Sequence, residues 1–175
     1  PALLLTPAGC KTDRVLQYTH GGGYVFCSAN THRRLAGHIA SAIGCRALVV
    51  DYGLAPENAH PGPVDDALKA YRWLLGQGIE PGHIVFSGDS AGGGLVFGTL
   101  LKARDQGLPQ PACALPISPW TDMEATGESM QTRAAVDCCV QKQGISGLVP
   151  LFIGGGSTRD PYASPLYADL KGLCP

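Results

Sequence analysis

Residues 88–92 read Gly-Asp-Ser-Ala-Gly, a G-x-S-x-G sequence centred on Ser90. It follows a short apolar run over residues 83–87, typical of a strand, and precedes a segment with helical spacing that begins at Ala91. A serine on a sharp strand-to-helix turn projects its hydroxyl above the sheet, where the helix N-terminus favours developing negative charge. The bare pattern also arises by chance in glycine-rich turns, but this context predicts that Ser90 is a nucleophile.

A second glycine-rich sequence, His20-Gly-Gly-Gly23, follows another predicted strand at residues 14–19. Consecutive glycines let backbone N–H groups point into a pocket, and an acyl-transfer enzyme needs such donors for the oxyanion of its tetrahedral intermediate. The residue after the nucleophile, Ala91, would supply a further N–H. A flexible loop and a phosphate cradle are the alternatives. A phosphate-binding loop is excluded because neither glycine cluster fits G-x-x-x-x-G-K-[ST] or G-x-G-x-x-G.

A serine nucleophile also needs a base within hydrogen-bond reach, itself oriented by a carboxylate. In hydrolases with this turn the triad runs serine, acid, histidine along the chain. We therefore expect this chain to lack acid and base, to show little activity by itself, and to be the middle of a longer enzyme. All five histidines precede Ser90: His20, His32, His38, His60 and His83.

Strands and helices alternate along the chain. This order predicts an α/β fold, with a mainly parallel sheet covered by helices on both faces, and a single domain over residues 1–175. The chain opens on Pro1 inside a further predicted strand, and after Trp120 the pattern weakens. The predicted strands are 14–19, 47–50, 83–87 and 112–118, and the predicted helices are 31–43, 63–76, 91–104 and 145–152.

Composition excludes several classes of function. The formal net charge is −1, with 13 basic against 14 acidic residues, which gives no electrostatic footprint for nucleic acid or an anionic membrane surface. No apolar run approaches the ~20 residues that span a bilayer. Seven cysteines without a C-x-x-C pair argue against a disulfide framework and a zinc site, and favour free thiols in a reducing cytoplasm. The adjacent Cys138 and Cys139 suggest redox activity, but no neighbouring residue supports it.

Five sequences together resemble the bacterial hormone-sensitive-lipase-like carboxylesterases, over essentially the whole chain. One departure is Gly53, where the family usually has Arg, and this removes an ion pair expected to support a loop near the site. The five are His20-Gly-Gly-Gly-Tyr-Val25, Asp51-Tyr-Gly-Leu-Ala-Pro-Glu57, Gly88-Asp-Ser-Ala-Gly-Gly-Gly-Leu95, Ser118-Pro-Trp-Thr-Asp122 and the segment Asp160–Leu173.

The resemblance implies the core of an α/β-hydrolase that lacks its N-terminal cap and its C-terminal acid and base. It implies a carboxylic ester hydrolase for short- to medium-chain acyl esters, with no cofactor and no metal; a homo-oligomer stays open. Asp160 belongs by resemblance to a segment before the acid-bearing strand, and Asp122 and Asp137 are expected to be structural or solvated. The implied site residues are Ser90 as nucleophile, Gly22, Gly23 and Ala91 as oxyanion-hole amides, and His20, Gly21 and Asp89 as the supporting motif.

Two other functions fit the same residues. A non-catalytic protein that binds small molecules on a hydrolase scaffold is the main alternative, because no histidine follows Ser90. An amidase or a transferase using the same serine is the weaker one. A Ser90→Ala variant and the sequence of the gene past Pro175 would separate them.

Overall fold

The computed structural model describes all 175 residues and contains one five-stranded sheet. The strand order is β1-β3-β2-β4-β5; β1 runs antiparallel to β3, and the other neighbours are parallel. The predicted mainly parallel α/β fold is confirmed. The strands are β1 (Ala2–Leu5), β2 (Lys11–Thr19), β3 (Cys45–Val50), β4 (Ile84–Asp89) and β5 (Cys113–Ile117).

Helices cover both faces of this sheet, as predicted. Successive strand residues point to opposite faces, so Leu16 of β2 packs with α1 whereas Val15 packs with α2 and α3. The helices are α1 (Ala29–Ile43), α2 (Gly62–Gly76), α3 (Ala91–Asp105), α4 (Ser129–Thr132) and α5 (Lys142–Ile153), with two 3₁₀ turns at Pro81–His83 and Pro165–Tyr167.

The ends of α1 follow from local chemistry. Ser28 caps the N-terminus in a capping box with Thr31, and Gly44 ends the helix at φ 71°, a conformation that costs glycine little. The helix therefore begins two residues before the predicted start and ends where predicted.

Three further elements differ from the sequence prediction, and one of them is α5, which begins at Lys142, three residues before its predicted start. Strand β2 begins at Lys11, three residues early, because its first residues pair with β3 through a register shift before Val15. The side chains of these first residues are polar and exposed, so the hydrophobicity pattern does not indicate a strand there. Helix α4 is a single turn in the segment after Trp120, where the pattern weakens.

Strands β2 and β4 are parallel neighbours and end at Thr19 and Asp89. Both glycine-rich sequences begin at these carboxyl ends, so they lie at the same edge of the sheet, where open α/β sheets bind their ligands. None of the helices is both long and apolar enough to cross a membrane.

Candidate active site

Ser90 occupies a sharp turn between β4 and α3. Its backbone has φ 54° and ψ −120°, a region that costs a non-glycine residue about 1–3 kcal/mol unless its surroundings hold it there. The surroundings here are three backbone hydrogen bonds: Ser90 donates to Ile117 O at 2.9 Å, and Ser90 O accepts from Trp120 N at 2.9 Å and Gly94 N at 3.0 Å. The side chain is exposed and does not cap the helix. The hydroxyl therefore stands free.

The glycines on either side of Ser90 allow the turn to pack against the end of β2. A Cβ at Gly88 or Gly92 would collide with the carbonyl oxygen of Thr19, and the Thr19 hydroxyl donates to Gly92 O at 2.8 Å. The glycine positions of the G-x-S-x-G sequence are thus required by this close approach of two backbones.

The loop after β2 presents free amides. Gly22 and Gly23 have φ values of 114° and 60°, and neither amide donates to a backbone acceptor, whereas Gly22 O accepts from Val25 N and Phe26 N at 3.1 and 2.9 Å. Ala91 is buried as the first residue of α3, and amides in a first helical turn have no partner within the helix. These are the donors that the sequence predicts for an oxyanion.

Asp89 connects the Ser90 turn to the glycine loop. Its Oδ1 accepts from Gly21 N at 3.0 Å and from the Tyr18 hydroxyl at 2.7 Å, and its Oδ2 lies 3.4 Å from His32 Nε2. Burial and the bond to Asp89 raise the pKa of Tyr18, so the phenol stays a donor. A Cβ at Gly21 would collide with the Asp89 side chain.

His20 is buried within this loop, and its ring contacts neighbouring backbone and aromatic groups. Its Nδ1 lies 2.7 Å from Gly21 O, and its ring stacks on Tyr52 at 4.2 Å. Tyr52 in turn donates from its hydroxyl to His20 O at 2.6 Å. Burial lowers the pKa of His20, so the imidazole is uncharged at neutral pH.

Ser90 and Gly23 line one cavity of about 730 Å³, within the range of small-molecule sites. Its walls are largely apolar and come from the loop after β2, the segment after β5, and α5. The lining includes Phe26, Trp120, Met130, Ile145 and Leu148.

Residues of α5 reach the glycine loop through an aromatic stack. Phe152 of α5 packs on Tyr24 with ring centroids 3.7 Å apart, and Leu148, one turn earlier, stands where a Cβ at Gly23 would lie. The sequence predicted this helix but not its role as a wall, because its contact with residue 24 spans more than a hundred positions.

Three of the four remaining histidines lie against carboxylates and not against the Ser90 hydroxyl. His32 faces Asp89, His60 Nε2 lies 3.4 Å from Asp160 Oδ1, and His83 Nδ1 lies 3.3 Å from Asp13 Oδ2. His38 is exposed on α1. The link from His32 to the Ser90 turn was missed by sequence reasoning, since only the fold brings α1 to the end of β4.

The acidic residues after Ser90 have structural partners. Asp160 faces His60 and accepts from Tyr162 N at 2.9 Å. Burial alone would raise the pKa of Asp122, but hydrogen bonds from Thr126 and Glu124 lower it. Asp137 accepts two backbone amides of its own loop.

The side chain of Asn58 occupies the space into which any side chain at position 53 would extend. A Cβ at Gly53 would collide with Asn58, whose Nδ2 donates to Asp66 Oδ2 at 3.2 Å, while Gly53 N donates to the same oxygen at 3.0 Å. Two neutral donors thus share Asp66 Oδ2, while Lys69 Nζ lies 3.4 Å from Asp66 Oδ1.

Comparison with known proteins agrees with this geometry. A family described as having the α/β-hydrolase fold matches residues 16–175. An acetyl-hydrolase of Streptomyces hygroscopicus is 41% identical over 94% of this chain and 55% of its own length. A crystal structure of an esterase from the bacterial hormone-sensitive lipase family superposes with a TM-score of 0.98 at 51% identity, over 100% of this chain and 59% of that one. A structure of the esterase EstE5, soaked with p-nitrophenyl butyrate, has a TM-score of 0.96 at 50% identity, over 99% of this chain and 58% of that one.

Proposed function

This chain belongs to the α/β-hydrolase fold family, in its hormone-sensitive-lipase branch, and from that premise we propose that its protein hydrolyses carboxylic esters through Ser90. The chain spans little more than half the length of the relatives it matches, so the proposal concerns the protein of which these residues form the nucleophile region. The observation that carries it is the exposed Ser90 at φ 54°, which opens on the same cavity as Gly23.

In the proposed reaction, Ser90 Oγ attacks the ester carbonyl carbon. The carbonyl oxygen becomes an oxyanion that accepts hydrogen bonds from the amides of Gly22, Gly23 and Ala91. The alcohol then leaves, and water hydrolyses the acyl-enzyme. Preformed donors of this kind are each worth about 2.7–4 kcal/mol in the transition state. His20, Gly21 and Asp89 hold these donors in place.

The proposal assigns neither the acid nor the base of a triad to this chain. Proton transfer from Ser90 requires a base within hydrogen-bond reach, and four of the five histidines contact other groups. The 175-residue chain should therefore show residual turnover at most, arising from oxyanion binding alone.

We propose short- to medium-chain acyl esters as substrates. The cavity of about 730 Å³ is large enough for an acyl chain of that size and has apolar walls. Two relatives are named for small acyl groups: the acetyl-hydrolase and an ethyl acetate hydrolase of Pseudomonas putida, which is 38% identical over 66% of this chain.

The decisive experiment compares Ser90→Ala with the unchanged protein expressed from its complete gene, using p-nitrophenyl butyrate. We expect kcat to fall by about 10⁴–10⁶-fold, as when a serine nucleophile is removed from a triad. Ser41→Ala, an exposed serine on α1, is the matched control and should leave kcat unchanged.

Full activity in Ser90→Ala would overturn the assignment of the nucleophile. A complete protein that binds p-nitrophenyl butyrate without hydrolysing it would instead favour the binding-protein alternative. Robust Ser90-dependent turnover by the 175-residue chain itself would show that a base is present within it.

A further inference from the structure

Two cysteine thiols stand side by side on the surface between α4 and α5. Cys138 and Cys139 are both exposed, and their Sγ atoms lie 3.9 Å apart in a hydrogen bond. All seven cysteines are free thiols, and this is the one pair joined by a direct hydrogen bond between sulfur atoms.

The turn that presents the pair is closed by its own side chains. Asp137 Oδ1 accepts from Cys139 N at 2.9 Å and from Val140 N at 2.8 Å. Gln141 Nε2 donates to Ala134 O at 3.0 Å and also contacts Asp137 O. These bonds hold the two thiols on the same side of the turn without burying either of them.

The pair also adjoins the cavity that contains Ser90. Cys139, Val140 and Gln141 line that cavity, whereas Cys138 stands immediately outside it. A group bound to both sulfur atoms would therefore lie at the cavity rim.

The proximity of the thiols determines which reagents suit them. The hydrogen bond with Cys138 raises the pKa of Cys139, which disfavours chemistry that needs a single free thiolate. A reagent that binds two thiols gains affinity from their proximity. Its second bond forms intramolecularly and adds about 10²–10⁴-fold in overall affinity.

We propose that Cys138 and Cys139 form a covalent capture site for trivalent organoarsenicals at the rim of the cavity. With phenylarsine oxide, two As–S bonds form while two S–H bonds and the As–O bond break. Both protons leave with the oxide oxygen as one water, and arsenic remains trivalent throughout. No oxidant or reductant is required, and the site does not depend on the proposed chemistry of Ser90.

Intact-mass spectrometry of the reduced protein, expressed from its complete gene, tests this site. One equivalent of phenylarsine oxide should add one phenylarsenic unit with loss of two hydrogens. The adduct should survive excess glutathione, a monothiol, and should be removed by dithiothreitol, a dithiol that forms its own chelate.

Four variants distinguish this pair from other thiols. Cys138→Ser and Cys139→Ser should each lower retention against glutathione by at least about 100-fold, since one thiol cannot chelate. Cys27→Ser removes another exposed thiol and should retain the adduct, as should Ser90→Ala. Because residues 138 and 139 are both exposed, their serine variants are expected to keep the melting temperature of the parent.

The proposal is overturned if no glutathione-resistant adduct forms, or if either single variant of the pair retains it as the parent does. Loss of the adduct in Cys27→Ser would assign capture to a different thiol and overturn it equally. Retention of the adduct in Ser90→Ala would show that arsenical capture does not require Ser90, so a failure of the hydrolase proposal would leave the capture site unaffected.

Discussion

Asp89 Oδ1 accepts a hydrogen bond from Gly21 N at 3.0 Å, although the two residues are 68 positions apart. Asp89 immediately precedes Ser90, and Gly21 immediately precedes the two free loop amides. One hydrogen bond therefore joins the residue before the proposed nucleophile to the loop that would bind the oxyanion.

Replacing Asp89 should loosen this connection. Asp89→Ala leaves the Tyr18 hydroxyl and the Gly21 amide without their acceptor, and each unpaired buried donor costs about 1–3 kcal/mol. We expect the free energy of unfolding of Asp89→Ala, measured in urea, to fall by at least that amount. The free energy of unfolding of Asp89→Asn should lie between those of the parent and Asp89→Ala.

The matched control is Asp13→Ala, which removes an exposed carboxylate 3.3 Å from His83. Exposed pairs contribute little, so a change within about 0.5 kcal/mol is expected. Equal losses in the Asp13 and Asp89 variants would contradict a special role for Asp89.

The approach of the Ser90 turn to β2 should make Gly92 intolerant of any side chain. A Cβ there would collide with the carbonyl oxygens of Thr19 and His20, so Gly92→Ala should destabilise the fold by about 1–3 kcal/mol or more. Gly76→Ala meets no atom within 4 Å at the end of α2, and should stabilise by about 0.5–1 kcal/mol. Thermal unfolding should show a lower melting temperature than the parent for Gly92→Ala and a higher one for Gly76→Ala. A Gly92→Ala protein as stable as the parent would refute the close packing.

Alanine at Gly23 should affect the reaction more than the fold. Gly23 has φ 60°, and its Cβ would meet the flexible Leu148 side chain on the wall of the cavity, displacing an amide proposed to bind the oxyanion. We expect kcat/KM of the protein from the complete gene to fall by about 10²–10³-fold, the cost of one oxyanion donor.

Gly9→Ala is the control for backbone strain, because Gly9 has φ 73° and open space around its Cβ position. Its unfolding temperature should fall about as much as that of Gly23→Ala, with kcat/KM unchanged. Equal kcat/KM in the two variants would remove Gly23 from the proposed oxyanion hole.

Acidification should weaken the fold through buried histidines. Burial is the largest influence on His60 and lowers its pKa, as it does for His20. In the unfolded chain both return to a pKa of about 6.5, so between the folded and unfolded values the unfolded chain binds more protons. Their contribution to stability is therefore present above about pH 6.5 and is lost as the pH falls below it.

Urea unfolding at several pH values between neutral and mildly acidic measures this loss. His60→Gln should reduce the slope of unfolding free energy against pH, because it removes one of the two groups. His38→Gln, an exposed position on α1, should keep the slope of the parent. An unchanged slope in His60→Gln would contradict the prediction.

Much of the fold was predictable because its signals are local. The apolar run at residues 47–50 and the helical spacing before Gly44 mark elements by neighbours only a few positions away. The polar start of β2 could not be predicted from hydrophobicity, because pairing with β3 makes it a strand. The placement of Ser90 between β4 and α3 was predictable for the same local reason as the elements themselves.

The sequence by itself determined the type of fold, the turn that carries Ser90 and the glycine loop, because backbone permissiveness and periodicity are properties of short segments. Only the tertiary structure decided what these segments meet: Asp89 with Gly21, Phe152 with Tyr24, and Cys139 with the cavity that Ser90 lines. Such contacts join residues distant along the chain. They depend on how the sheet and its helices pack together, which no short stretch of residues encodes.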